Sequence, residues 1–155
     1  MTRTMARQMA VQLSFACSAG SDINPEDFFQ DEYFRALPAE DAIFSERPDE
    51  VQQKYILSIV NGVAQHMEEL DGLISRYSRG WKIGRISKTA LAVLRVALYE
   101  ILYVEDVPAS AAINEAVEQA KSYDDPETVS FINGILGSYM REKDGETAAE
   151  LPAEE

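Results

Sequence analysis

The chain has 155 residues, of which 46% are hydrophobic, and its formal net charge is −13. This length is enough for one domain with a sizeable core, and the hydrophobic content is typical of a globular protein rather than a disordered one. No apolar run reaches the ~18–20 residues that span a bilayer, and no secretory signal is recognisable. The single cysteine excludes an internal disulfide. We therefore expect a cytoplasmic protein without a membrane segment.

Residues 4–19 have apolar side chains at four-residue spacing, which predicts a first helix. This stripe consists of Met5, Met9, Leu13 and Cys17. Thr4 is the predicted N-cap and Gly20 the predicted end of the helix. The block 21–50 is the most acidic part of the chain, and Asn24-Pro25 is a good start for a short helix within it.

A second long helix is predicted to start near Asp49, because an apolar face at helical spacing runs from there to Leu70. The segment from Leu70 to Tyr77 either continues this helix or begins a short new one. Residues 86–104 are apolar nearly all round, which predicts a central and mostly buried helix.

Two more helices are predicted in the C-terminal third. One follows Pro108, and Asp125-Pro126 begins the last one, since Asp is a good cap and Pro suits the first helical position. Gly134 within this last helix weakens it, and we expect close helix packing as the compensation. From Asp144 onward the acidic tail is expected to be disordered.

No segment has the alternating period of a strand. The sequence therefore predicts an all-α fold, a compact bundle of six or seven helices. The predicted domain covers residues 1–143, and the predicted disordered tail covers residues 144–155.

The charges are unevenly distributed along the chain. Residues 1–21 and 72–99 contain no acid. The basic residues of these two stretches are Arg3 and Arg7 in the first, and Arg76, Arg79, Lys82, Arg85, Lys88 and Arg95 in the second. Such segregation can create a local positive field on an acidic protein and favours contact with RNA. The alternative is that individual basic side chains form ion pairs with acidic side chains on neighbouring helices.

No catalytic constellation is apparent. The sequence contains none of the nucleotide-binding, zinc-protease, hydrolase or Cys-x-x-Cys motifs, and Cys17 and His66 are too few for a zinc site. His66 is expected to form a surface pair with Glu69, one turn away on a helix. We therefore expect a protein that is not an enzyme and has no cofactor and no metal.

Four segments, in this order, resemble the NusB family of transcription antitermination factors. They are Ala6-Arg7 with Ala10-Val11-Gln12; Gly62-Val63 with Glu69 to Ile74; Leu91 to Glu100; and Val107-Pro108 with Ala112 to Val117, Ala120-Lys121 and Phe131 to Leu136. The I-N-E-A-x-x-x-A-K and F-x-N-G-x-L pieces are specific when found together. The resemblance spans nearly the whole chain except residues 21–50 and the tail.

This resemblance implies an all-helical protein built as two three-helix subdomains. It also implies binding of the single-stranded boxA element of nascent ribosomal RNA, together with the ribosomal protein NusE. The assembly would join the RNA polymerase antitermination complex and promote read-through of terminators.

The resemblance further implies an RNA surface on particular residues. The family's arginine-rich N-terminal segment is matched here by Arg3 and Arg7 only. The start of the last helix also belongs to the family's RNA-contacting region, which places Glu127 and Phe131 near the RNA strand. Basic residues of the second acid-free stretch complete the predicted surface: Lys82, Arg85 and Lys88.

Several of these residues have a second interpretation. Phe131 either stacks on a base or is a core residue. Arg95, within the most apolar helix, is expected to pair with a buried carboxylate, whereas Asn114 and Asn133 are expected to form hydrogen bonds between helices.

Two alternative functions remain open. The first is a protein-interaction module, for NusE or for a second copy in a homodimer, with little RNA binding of its own. The second is a stand-alone relative of the RNA-binding domain of ribosomal RNA methyltransferases.

Overall fold

The structure, a computed structural model, describes residues 2–18, 48–78, 86–123 and 125–150, and of residues 123 and 144–150 only the backbone. All regular secondary structure within these ranges is helical, which confirms the predicted all-α class. The helices are α1 (Arg3–Ser18), α2 (Glu50–Gln65), α3 (Met67–Tyr77), α4 (Lys88–Tyr103), α5 (Ala109–Tyr123) and α6 (Pro126–Glu150). Over the same ranges, none of the helices is both long and apolar enough to cross a membrane.

Side-chain caps set the starts of three of these helices. At α2 the backbone N–H of Gln52 donates to Asp49 at 2.8 Å, and the side chain of Gln52 accepts from the backbone N–H of Asp49 at 2.9 Å. Ser87 caps α4 by accepting from the N–H of Ala90, and Asp125 caps α6 in the same way. Each cap satisfies a backbone donor that the first helical turn leaves without a partner. The predicted starts near 49, 86 and 125 are confirmed.

The cap of α1 differs from the prediction. The hydroxyl of Thr2, not that of Thr4, accepts from the backbone N–H of Met5 at 3.1 Å. Thr4 lies inside the first turn, and its hydroxyl donates to Glu115 on α5 at 2.9 Å. The prediction of Thr4 as the cap is wrong because either threonine suits the role locally, and the tertiary contact with α5 decides between them.

Helix α4 is the centre of the bundle, since it contacts each of the other five described helices. Leu94 and Leu98 are fully buried there, which confirms the prediction of a central, mostly buried helix. Each of α4, α5 and α6 contacts the other two, and α2 contacts both α1 and α3. Helix α3 also contacts α6, so both α3 and α4 connect the pair α1 and α2 to the pair α5 and α6.

The backbone of helix α6 is helical to Glu150, and the disordered tail predicted from Asp144 onward stays a prediction. The expectation of close packing at Gly134 is wrong, because Gly134 is exposed and no side chain or neighbouring helix of the described residues would lie within 4 Å of a Cβ atom built there. Packing therefore does not explain the glycine at this position.

An ion pair joins α3 to α4. Arg95 donates from Nε and from a terminal nitrogen to the two oxygens of Asp71, at 2.8 and 3.0 Å. The side chain of Arg95 is 12% exposed and that of Asp71 is 28% exposed. This pairing confirms the prediction that Arg95 meets a carboxylate.

Replacing Arg95 with alanine should lower the free energy of unfolding by about 1–3 kcal/mol, because two charge-assisted hydrogen bonds in a half-buried place are lost. Denaturant titration measures the change. Lys121→Ala is the matched control, since Lys121 forms an exposed pair with Glu118. The control should change the free energy of unfolding by less than ~0.5 kcal/mol. Equal losses in the two variants would contradict this account of the Arg95 pair.

Candidate nucleic-acid interface

Arg3 lies at the surface on the first turn of α1. Its guanidinium carbon is 3.7 Å from the centre of the Tyr55 ring, and one of its nitrogens is 3.9 Å from Asp106. The side chains of Arg3 and Asp106 are 46% and 78% exposed, so the ion pair contributes little stability. A phosphate group can therefore replace Asp106 as the partner of Arg3 at small cost.

Arg7 has a different environment, because it is only 8% exposed. Its Nε lies 3.1 Å from each oxygen of Glu100, a residue that is 1% exposed, and a terminal nitrogen lies 3.7 Å from Glu115. Burial raises the pKa of the Glu100 carboxyl, and the guanidinium of Arg7 opposes that rise. Because Arg7 holds α1 against α4 and α5 through this pair, we leave it out of the proposed RNA surface.

The basic residues of the second acid-free stretch, 72–99, lie in several environments. Lys88, the first residue of α4, is exposed. Arg76 near the end of α3 is exposed and forms an ion pair with Glu142. Lys82 and Arg85 lie outside the described residues, so their place on an RNA surface stays a prediction.

Phe131 lies on α6 at the edge of the bundle. Its ring is partly buried against the core and also lines an open groove of about 290 Å³, together with Tyr77 and Ser78. Both interpretations of Phe131 therefore describe part of its environment: one side packs in the core and another borders the groove. Glu127, one turn before it, is exposed.

The two asparagines are exposed. Asn114 lies on α5 and Asn133 on α6, and among the described residues neither forms a hydrogen bond to another helix. The prediction that they join helices is wrong.

Arg141 is the residue of this region that the sequence reasoning missed. It lines the same groove as Phe131, at the far end of the α6 face. The groove residues of α6 include Phe131, Gly134, Ser138 and Arg141. Their spacing of three, four and three residues is the spacing of one helix face, and that signal was available in the sequence.

A second surface cluster lies where α2 meets α3. The ring of His66 is stacked on that of Tyr103, with the ring centres 4.3 Å apart. Nδ1 of His66 is 3.7 Å from Glu69, which confirms the predicted pair, and the hydroxyl of Tyr103 donates to Glu69 at 2.8 Å. This hydrogen bond raises the pKa of Tyr103. Because Glu69 contributes negative charge, the cluster is a poor place for RNA.

The fold and the groove together define a helical binding protein, in which an aromatic ring and basic side chains face solvent. A family model described as the NusB family matches residues 4–141. The chain therefore belongs to the NusB family.

Individual relatives agree with this assignment. A transcription antitermination protein NusB of Acetivibrio thermocellus is 52% identical over 95 residues, which cover 61% of this chain and 66% of that protein. A protein of the same name from Symbiobacterium thermophilum is 38% identical over 151 residues, 97% of this chain and 96% of that protein. A solved structure described as antitermination factors NusB and NusE in complex with dsRNA has a chain with the same fold, at a TM-score of 0.66 and 20% identity, over 88% of this chain and 93% of that one.

Proposed function

We propose that this protein is a transcription antitermination factor that binds the boxA element of nascent ribosomal RNA together with NusE, and so promotes read-through of terminators by RNA polymerase. The observation that carries this proposal is the groove beside Phe131, which lies between acid-free segments of a strongly acidic chain. The family membership and the NusB–NusE–RNA complex of a similar fold support it.

In this proposal phosphate contacts position the RNA and base contacts select it. Arg3 and Lys88 are exposed cations that can each bind a phosphate. Lys82 and Arg85 belong to the proposed surface as predictions from the sequence.

The exposed part of the Phe131 ring provides a surface on which one unstacked base can lie. Such stacking is worth about 1–3 kcal/mol per base and is the usual way in which proteins hold single-stranded RNA.

Phe131→Ala should weaken boxA binding by roughly 5- to 150-fold, the equivalent of ~1–3 kcal/mol, because the stacked base loses its support. Fluorescence anisotropy with a labelled boxA RNA measures the affinity. Phe131→Tyr keeps the ring and is the matched control, with an affinity close to that of the unaltered protein. Circular dichroism of both variants tests that the fold is retained. Unchanged affinity in a folded Phe131→Ala protein would overturn this base-stacking site.

The salt dependence of the same titration tests the phosphate contacts. With about four of them, the slope of log affinity against log salt should be near −2.8, a loss of roughly 50-fold between 50 and 200 mM salt. A slope near zero would contradict the assignment of the basic residues to phosphate contacts. Binding of NusE or self-association in light scattering, without RNA binding, would support the protein-interaction alternative instead.

A further inference from the structure

The groove beside Phe131 continues along one face of α6 as far as Glu142. One cavity, of about 290 Å³, reaches from Phe131 to Arg141, and a second, of about 420 Å³, is lined by Arg76 and Glu142. The two cavities share Tyr77, Ser138 and Arg141 as lining residues. They therefore form one continuous groove between the end of α3 and the face of α6.

The two arginines of this groove differ in their partners. The guanidinium of Arg141 is exposed and donates to the hydroxyl of Ser138 at 3.1 Å, and among the described residues no carboxylate lies within ion-pair distance of it. Arg76 on the opposite wall forms an ion pair with Glu142. Arg141 can therefore bind an anion directly, whereas Arg76 can do so only when its ion pair with Glu142 is broken.

Gly134 keeps the middle of the groove open. It is exposed on the α6 face between Phe131 and Ser138, and within the described part of the chain a Cβ atom there would have no neighbour within 4 Å. A glycine inside a helix is less stable than an alanine, so the protein loses stability here without any gain in packing. What the glycine provides is space in the groove for a ligand.

Apart from Glu142, the described residues that line the groove include no acid, although the chain as a whole carries a net charge of −13. The α3 wall belongs to the acid-free stretch 72–99, and the α6 face belongs to a further acid-free stretch, 128–141. A positive groove on an acidic protein attracts a polyanion such as RNA, whereas a basic protein segment would be repelled.

We propose that the RNA strand held at Phe131 continues along this groove, and that Arg141 binds one of its backbone phosphates. This inference rests on the proposed function and extends it to a second contact. Ten residues of helix separate Phe131 from Arg141, about 15 Å along the axis, so the base and the phosphate belong to different nucleotides. Glu142 limits the affinity by holding Arg76 away from the strand.

The test compares Arg141→Ala with Lys54→Ala, which removes the same charge from an exposed position on α2. With NusE present, Arg141→Ala should bind boxA RNA about 3- to 10-fold more weakly and flatten the salt slope by about 0.7, the share of one phosphate on a single strand. The ratio of unaltered to variant affinity should then shrink about 2.6-fold between 50 and 200 mM salt. Lys54→Ala should behave like the unaltered protein.

Shortened RNAs locate the contact. The effect of Arg141→Ala should disappear on one of two RNAs, trimmed by a few nucleotides at the 5′ or at the 3′ side of boxA, because that RNA no longer reaches Arg141. An effect that persists on both trimmed RNAs, or equal affinities for Arg141→Ala and the unaltered protein on the full-length RNA, would overturn the inference while leaving RNA binding itself intact. Failure of the unaltered protein to bind boxA would overturn the proposed function as well.

Substitutions of Gly134 and Glu142 provide a second test of the groove. Gly134→Leu should weaken RNA binding at least tenfold by filling the groove, whereas Gly134→Ala should have a much smaller effect. Glu142→Gln should tighten binding about 2- to 5-fold by releasing Arg76, and the gain should vanish in Glu142→Gln/Arg76→Gln. If Gly134→Leu binds RNA as well as Gly134→Ala does, the strand does not follow this groove. A loss of binding to NusE but not to RNA in these variants would assign the groove to a protein partner instead.

Discussion

Arg7→Met should lower the free energy of unfolding by about 3–5 kcal/mol, the usual consequence of removing one member of a buried ion pair. Glu100 is 1% exposed and would lose the guanidinium that lies 3.1 Å from both of its oxygens. Methionine fills much the same volume as arginine, so the loss reports the charge rather than a cavity. Denaturant titration at neutral pH measures it.

The double variant Arg7→Met/Glu100→Leu is the control for this prediction. Replacing a buried pair by apolar residues is often neutral, so the double variant should regain most of the stability. A double variant that is less stable than Arg7→Met would contradict the account. Its recovery would show that Arg7 matters because of the charge of Glu100, not because of any contact with RNA.

The loss in Arg7→Met should also depend on pH. Burial raises the pKa of Glu100 in the folded protein, and removal of Arg7 takes away a group that lowers it. An acid whose pKa is raised in the folded state destabilises that state when it is ionised. This loss of stability becomes smaller as the pH falls towards the pKa of the same acid in the unfolded chain, about 4.3. The stability difference between the unaltered protein and Arg7→Met should therefore narrow between pH 7 and pH 5. A constant difference over this range would contradict the ionisation of Glu100.

Gly62→Ala should lower the free energy of unfolding by about 1–3 kcal/mol, the usual cost of an overpacked core. Gly62 is a buried residue of α2, and a Cβ atom there would overlap the ring and the hydroxyl of Tyr99 on α4. The Tyr99 ring has little freedom to move away, because it lies 5.2 Å from the ring of Tyr103, centre to centre, and packs against the core. Thermal or denaturant unfolding measures the loss.

Gly72→Ala is the matched control for Gly62→Ala. Gly72 is exposed on α3, and a Cβ atom there would meet no other atom within 4 Å. Alanine should therefore stabilise the protein at this position by about 0.5–1 kcal/mol, since it is the better helix former. In a Tyr99→Ala background, Gly62→Ala should lose most of its effect. Equal changes at the two glycines would show that the Tyr99 contact does not decide the outcome.

The sequence predicts the helices well because their signals are local. The cap at Asp49 needs only Gln52, three residues away, and the last helix begins where Asp125 precedes a proline. The central position of α4 follows from its composition, since a helix that is apolar nearly all round must be surrounded by others. The start of α1 was predicted less well, because the hydrogen bond between Thr4 and Glu115, 111 residues away, leaves the capping role to Thr2.

The candidate site is less predictable because it depends on contacts distant in sequence. Nothing near Arg7 in the sequence shows that Glu100, 93 residues away, will bury its charge. Likewise Gly134 looks like a packing residue until the structure shows that it is exposed and that a Cβ atom there would have no described neighbour within 4 Å. Arg141 is different, since helical spacing already places it on the face of Phe131.

The most direct test of the central claim is a titration of boxA RNA against a scrambled RNA of the same length and composition, with and without NusE. The account predicts tighter binding of boxA than of the scrambled RNA when NusE is present, with the preference reduced in Phe131→Ala. Equal binding of both RNAs, in both conditions, would contradict it.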